Sequence, residues 1–285
     1  MVACPVCRFK HSNPLMKDES QYRILSCGNC KHEYLDFEPR SDHVSNIYSD
    51  DYFNGGKDGY PDYIQLEPLL IKRGGYYANI IRRFMKPGRM LDIGCGSGFL
   101  MKGFRDNGWE VKGVEPNRRM ASYGIAKFNL DISVSPFEAY SDQNLFDLIA
   151  MIQVIAHFYD VRSCIENASR LLKTNGLLLI ETWNRDSLTA KIMGNAWHEY
   201  SPPSVVNWFT PSSLTMLAKQ YGFKCITFKR TLKKIQMGQA KLLLSSKSKQ
   251  SVIVEIAEKI ANLIPDKTEL IYPGDDLFYI LFKKV

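Results

Sequence analysis

No segment of this 285-residue chain is long and apolar enough to suggest a membrane span. The longest apolar stretch, Leu148 to Phe158, is broken by Gln153 and His157 and falls well short of the ~20 residues that a bilayer-crossing helix needs. The first residues, Met1-Val2-Ala3-Cys4-Pro5, lack the basic-then-apolar order of a secretion signal. A cytoplasmic protein with its seven cysteines reduced is therefore expected. Internal repeats and low-complexity tracts are absent as well. With 45% hydrophobic and 24% charged residues, the chain has room for one large α/β domain and one small accessory module. Acidic residues are missing from one stretch, Lys224 to Lys249, which carries seven lysines and Arg230. Such runs are commonly solvated faces; the functional alternative is attraction to an anionic partner, such as a phosphorylated substrate, a membrane surface or RNA.

Cysteine, by contrast, is placed with a pattern. Cys4-Pro5-Val6-Cys7 and Cys27-Gly28-Asn29-Cys30 form two Cys-x-x-Cys pairs with 19 residues between them. This is the spacing of a four-cysteine zinc site, in which each tight turn offers two thiolates. A redox dithiol would need a βαβ surround that neither pair has. Four thiolates leave no open position on the metal, so the zinc is assigned to folding, in a ribbon spanning residues 1–40. Cys95, Cys164 and Cys225 read as loop or core residues.

The most informative stretch is Met90 to Leu100. An apolar run ends in Asp92, and then Gly94, Gly96 and Gly98 alternate with small residues before an amphipathic segment begins. Glycines there let the backbone turn tightly and approach a ligand. A second short strand ends in Glu115, about 20 residues on, where an acid can accept hydrogen bonds from both ribose hydroxyls of an adenine nucleoside. The Gly-x-Gly-x-x-Gly of a pyrophosphate site is absent. Asp92, two residues before the first glycine, suits instead a cationic ligand without phosphates, such as S-adenosylmethionine.

Leu91-Asp92-Ile93-Gly94-Cys95-Gly96-Ser97-Gly98, followed by Gly113-Val114-Glu115-Pro116, resembles the class I S-adenosylmethionine-dependent methyltransferases. The resemblance continues in Phe146-Asp147-Leu148-Ile149, Gln153-Val154-Ile155-Ala156-His157 and Leu171 to Ile180, and spans roughly residues 68–230 plus a last strand near 276–284. It implies an α/β fold, a doubly wound, mostly parallel seven-stranded sheet of Rossmann-like order. It also implies a cofactor site formed by Asp92, Gly94, Cys95, Gly96, Ser97, Gly98, Phe99, Glu115, Pro116, Asn117, Pro136, Phe137, Gln153 and Val154. In the connector 41–67, the resemblance implies that tyrosines of the segment Tyr48 to Phe53, Tyr52 among them, close over it; the other reading is a plain connector with surface tyrosines.

The hydrophobic pattern supports this independently. A helix is expected within 66–84, weakened at Gly74-Gly75, and then strands 89–93, 110–115, 130–134, 146–152 and 175–182 alternate with helices 97–107, 117–127, 136–141 and 160–173. Such alternation calls for a parallel sheet with helices on both faces and ligands at the carboxyl ends of the strands. Residues 184–209, rich in aromatics and irregular, read as a substrate lid. Residues 231–272 read as a helical insertion whose amphipathic part, Val252 to Ile264, packs on the domain or on a second subunit in a homodimer.

Methyl transfer to oxygen or carbon needs a base, and His157 is the best-placed candidate, with His198 of the lid second. The other role open to His157 is structural, capping the next helix or bonding to the backbone. Many relatives read Leu-Glu-His where this chain has Ile155-Ala156-His157, a version that resembles zinc-containing sugar C-methyltransferases. The leading expectation is methylation of a small molecule or a glycan or lipid precursor. The alternatives are an RNA methyltransferase that grips phosphates with ribbon and basic run, and a non-catalytic cofactor-binding protein. Against RNA stands the absence of an Asn-Pro-Pro-Tyr-type motif after the fourth strand.

Overall fold

A computed structural model describes residues 2–17, 22–38, 47–55, 62–231, 234–245, 252–266, 268–271 and 275–285. Parts of the expected connector and of the basic run lie outside these residues. The N-terminal ribbon contributes β1 (Ser12–Lys17), β2 (Arg23–Cys27) and β3 (Glu33–Leu35). A single helical turn, α1 (Asp50–Phe53), precedes the long helix α2 (Glu67–Ile81). The core then runs β4 (Arg89–Ile93), α3 (Phe99–Arg105), β5 (Glu110–Glu115), α4 (Arg118–Phe128), β6 (Asp131–Val134), β7 (Phe146–Ile152), α5 (Val161–Leu171) and β8 (Leu172–Trp183). The lid holds α6 (Leu188–Met193) and β9 (Asn207–Trp208), and α7 (Pro211–Lys219) and β10 (Phe223–Arg230) follow. The insertion is β11 (Lys234–Gln236), α8 (Met237–Ser245), α9 (Val252–Ala261) and β12 (Glu269–Ile271), and β13 (Leu277–Lys284) closes the chain.

The main sheet has the order β10-β13-β8-β7-β4-β5-β6. β4 is parallel to β5 and β7, β5 to β6 and β7 to β8, whereas β13 runs antiparallel to both β8 and β10. The expected doubly wound sheet is therefore present, with the strand order reversing between β4 and β7, where such sheets open a crevice at their carboxyl ends. Alternate residues face opposite layers. Leu91, Ile149, Met151, Leu178 and Ile180 pack with Val161, Ile165 and Leu214 of α5 and α7. Met90, Leu148, Ala150 and Leu179 pack with Tyr77, Ile81 and Phe104 of α2 and α3.

Two elements differ from the sequence reading, and one alternative for the insertion is narrowed. Residues 136–141 form only a three-residue turn, Phe137–Ala139, since the segment is too short to sustain a helix and Phe137 is drawn into the core. The helical insertion includes a two-stranded antiparallel pair, β11 with β12, beside its helices. Ile256, Ile260 and Leu263 along α9 and just past it remain exposed, so the domain does not cover that apolar face. No helix among the described residues is long and apolar enough to cross a membrane.

Gly74 does not act as a weak point. A Cβ there would lie 2.2 Å from the Leu100 carbonyl oxygen, and one on Gly103 would lie 2.2 Å from that of Ile71. The two glycines let α2 and α3 touch backbone to backbone. Helix propensity alone would make Gly74→Ala stabilising by about 1 kcal/mol. Overpacking wins here, and the substitution is expected to destabilise the protein by about 1–3 kcal/mol. Urea unfolding measures the sign; a variant more stable than the parent would contradict this packing.

Candidate functional site

The loop after β4 turns through three left-handed glycines, with φ of 66° at Gly94, 55° at Gly96 and 70° at Gly98. A Cβ on Gly94 would meet Val154 at 2.9 Å, and one on Gly96 would meet the Tyr63 hydroxyl at 2.6 Å. The loop is thus seated between the end of β7 and Tyr63. Beneath it lie two buried carboxyl groups. Glu115 accepts from the Gly96 and Asn117 amides, each at 2.8 Å. Asp92 is 2% exposed, and its Oδ2 has no hydrogen-bond partner among the described residues. Burial pushes Asp92 up to about 8, with Glu115 adding to the effect, and burial raises Glu115 to about 7. An unpartnered buried carboxylate is costly, and a cationic group brought beside it would relieve that cost. The pair therefore fits a ligand that carries positive charge and ribose hydroxyls, as S-adenosylmethionine does.

Asn117 joins this floor to the connector. Its Oδ1 caps α4 by accepting from the Met120 amide at 2.9 Å, and its Nδ2 donates to the Tyr48 carbonyl at 3.0 Å and to Asp50 at 3.1 Å. The segment before the main domain is thereby drawn over the site. Tyr48, with Tyr52 packed edge-on at 5.2 Å, reaches the His157 ring at 5.7 Å and donates to the Ser204 carbonyl at 2.9 Å.

His157 lies in the short turn after β7, partly exposed. Its Nδ1 is 2.6 Å from the same Ser204 carbonyl. A carbonyl can only accept, so Nδ1 carries the proton and Nε2 of the neutral ring keeps its lone pair. Burial lowers its pKa, while the Ser204 and Gln153 carbonyls pull partly back toward the protonated form. Gln153 adopts a left-handed φ of 61°, and its Nε2 donates to Glu181 at 2.9 Å. Glu181, fully buried, also receives Arg73 and Tyr77. This acid of β8 anchors the turn that carries His157.

The lid is no free flap. Its strand β9 pairs antiparallel with β3, Glu33 opposite Trp208 and Tyr34 opposite Asn207, and completes the ribbon's sheet in the order β1-β2-β3-β9. Arg185 donates to Glu33 at 2.7 Å, and Tyr200 donates to the same carboxylate. Across the sheet, the Sγ atoms of Cys4, Cys7, Cys27 and Cys30 all lie within 4.8 Å of one another. Cys4 and Cys30 are 3.6 Å apart and Cys7 and Cys27 3.5 Å. A zinc tetrahedron with bonds of ~2.3 Å has edges of roughly 3.8 Å, so the four thiols fit the metal. The hydrogen bond from Cys4 lowers the pKa of Cys30, while burial raises that of Cys27.

Of the residues expected at the site, the glycine loop, Asp92, Glu115, Asn117 and Val154 converge, and Tyr52 joins them through Tyr48. Others point elsewhere. The Cys95 side chain packs with Met101 and Leu130, the Ser97 hydroxyl meets Met120 sulfur at 3.6 Å, and Phe99 stacks on Tyr63. Phe137 packs with Tyr140 and Phe158 in the core next to Pro136, and Gln153 engages Glu181. His198 stands edge-on to Trp183 at 4.5 Å. Tyr63, Glu181, Ser204 and Asn207 were not foreseen as site residues. Tyr48 shares its segment with Tyr52, and Ser204 acts through its backbone, which no side-chain pattern reveals.

The chain's relatives agree with this geometry. Residues 69–227 match a family described as a methyltransferase domain. A ubiquinone biosynthesis O-methyltransferase from Rhodopseudomonas palustris (strain HaA2) is 30% identical over 147 residues, covering 47% of this chain and 57% of the relative. One from Pelagibacter ubique is 31% identical over 122 residues, covering 38% and 50%. The chain thus spans about half the length of these curated relatives. Among solved structures, an S-adenosylmethionine-dependent methyltransferase from Archaeoglobus fulgidus aligns with a TM-score of 0.51 at 19% identity, covering 78% of this chain and 99% of that one. The 1,6-didemethyltoxoflavin-N1-methyltransferase of Burkholderia thailandensis, solved with S-adenosylhomocysteine, gives 0.54 at 13% identity, covering 96% and 99%. These two likenesses are likenesses of fold. The family match, which takes in more than half of the chain and every strand around the glycine loop, goes further: this chain belongs to the class I S-adenosylmethionine-dependent methyltransferases.

Proposed function

We propose that the chain methylates a hydroxyl of a small molecule, with His157 as the general base. The observation that carries this reading is the pinned imidazole. Its Nδ1–H is held by Ser204, its pKa is depressed, and it stands on the turn whose Val154 abuts Gly94 of the cofactor loop. A neutral imidazole with a free lone pair can take the proton of an acceptor hydroxyl at Nε2 and leave the oxygen nucleophilic. When bound, S-adenosylmethionine supplies an electrophilic methyl group. Glu115 would take its ribose hydroxyls, and Asp92 would face its positive charge. The glycine loop would lie against it, and Tyr48 and Tyr52 would cover it. An oxygen acceptor is supported by the relatives named O-methyltransferases.

The two buried acids make a sign-definite pH prediction for the protein without ligand. Burial pushes Asp92 up to about 8 and Glu115 up to about 7, both well above the ordinary carboxylate range of the unfolded chain. The folded state therefore holds more protons than the unfolded one across this window, and stability falls as pH rises through it. Melting temperature should drop between about pH 5 and about pH 8.5, and Asp92→Asn, which cannot ionise, should flatten much of that drop. Parallel slopes for the two proteins would show that Asp92 is not held protonated.

For the base, methyl-labelled cofactor offered with a panel of phenols, nucleotide sugars, polyketides and RNA should place label on a hydroxylated small molecule. His157→Ala should then lower turnover by about 10²–10⁴-fold while cofactor affinity stays nearly constant. A well-folded variant with parental turnover would remove His157 from the chemistry.

A further inference from the structure

The stretch that carries His157 is anchored to the core through Gln153 and Glu181, and beyond that anchor it is held by the lid strand and through it by the ribbon. Val206 donates its amide to the Ala156 carbonyl at 3.0 Å, and Leu35 of β3 donates to the Val206 carbonyl at 3.0 Å. Asn207, one residue on, is 3% exposed and reaches both ways. Its Nδ2 donates to the Phe158 carbonyl at 2.7 Å, and its Oδ1 lies 3.1 Å from Nε2 of His32. Because the Phe158 carbonyl can only accept, the amide orientation is settled, and His32 must present Nε2–H to Oδ1. The remaining His32 nitrogen, Nδ1, has no hydrogen-bond partner among the described residues. His32 in turn belongs to the metal knuckle: its carbonyl accepts from the Cys27 amide at 2.9 Å, and its ring packs on Phe209 at 4.8 Å. An unbroken path of covalent and hydrogen bonds thus runs from the cysteine cluster through His32 and Asn207 to Phe158, beside His157.

The cofactor floor has its own supports. Glu115 accepts from the Gly96 and Asn117 amides, and the Gly94 and Cys95 amides of the loop donate to the Val114 carbonyl of β5, none of these groups being from the ribbon or the lid. The two halves meet at Tyr48, whose carbonyl accepts from Asn117 and whose hydroxyl donates to Ser204.

We propose that Asn207 is a positioning residue for His157, through which the metal-folded ribbon sets the acceptor half of the active site and leaves the cofactor half untouched. The inference rests on the reading of His157 as the base. Removing the Asn207 amide leaves the Phe158 carbonyl and His32 Nε2–H buried without partners, a penalty the turn escapes only by shifting. A shift of about 1 Å at a catalytic group costs on the order of 10²-fold in rate.

The test uses the full chain, loaded with zinc, and two variants. Asn207→Ala removes both arms; Asn207→Asp keeps the acceptor for His32 but cannot donate to Phe158. The imidazole nitrogen NMR spectrum of His157 is recorded for each, together with calorimetric affinity for S-adenosylmethionine. Expected in both variants is loss of the single Nδ1–H form in favour of a tautomer mixture, with cofactor affinity within about twofold of the parent. If Asn207→Ala fails to fold, Asn207→Asp carries the test. A parental His157 spectrum in Asn207→Asp, or a fall in cofactor affinity equal to the loss of tautomer order, overturns the proposal. Failure of the base itself would look different: normal turnover in His157→Ala, whatever the Asn207 variants do.

Discussion

One short segment, ending in β9, carries the geometry of the site. Residues 204–208 are bonded along both edges, to β3 of the ribbon on one side and to the turn 156–158 on the other. The Ser204 carbonyl at its start accepts from both His157 and Tyr48, using both lone pairs. A backbone acceptor so placed cannot rotate away as a side chain can. It fixes which imidazole nitrogen carries the proton, and it ties the segment before the domain to the segment after the fifth strand of the core. The lid is therefore a structural wall shared by ribbon and domain.

The cofactor side depends on a different kind of constraint. Asp92 and Glu115 are buried close together under a loop of backbone that only glycine can form without strain. Amides satisfy Glu115, while one oxygen of Asp92 is left over, so the floor is electrostatically incomplete until a cation arrives. The domain meets that cost with apolar layers on both faces of the sheet and with the close contact of α2 and α3 through Gly74 and Gly103.

Much of this was legible in the residues. Strands 89–93 and 146–152 are short, mostly apolar runs that end at the site, and they form where expected because they are buried on both faces; strand 110–115, buried only in its second half, was read from its position after the glycine loop and its closing Glu115. The cysteine pairs come together because their spacing already contains the turns. What could not be read is the pairing of Glu33 with Trp208, which lie far apart in sequence and in a strand of only two residues. Its signal is a register of backbone bonds, with no hydrophobic pattern behind it. Asn207 was invisible for the same reason, and Gly74-Gly75 was misjudged because helix propensity describes an isolated helix and says nothing of the backbone that packs against it.

The cofactor floor rests on the sheet alone, whereas the turn of His157 is braced by the ribbon as well as by β8, so the two should respond differently when the metal is taken away. The most direct measurement is amide hydrogen exchange combined with calorimetry on the same protein before and after zinc is stripped by a chelator and then restored. Exchange should quicken at residues 155–158 and 204–208 and stay unchanged at 90–98 and 110–117, with affinity for S-adenosylmethionine unaltered and protection regained on adding zinc. Protection at 155–158 that ignores the metal, or cofactor affinity that falls with it, would contradict the account.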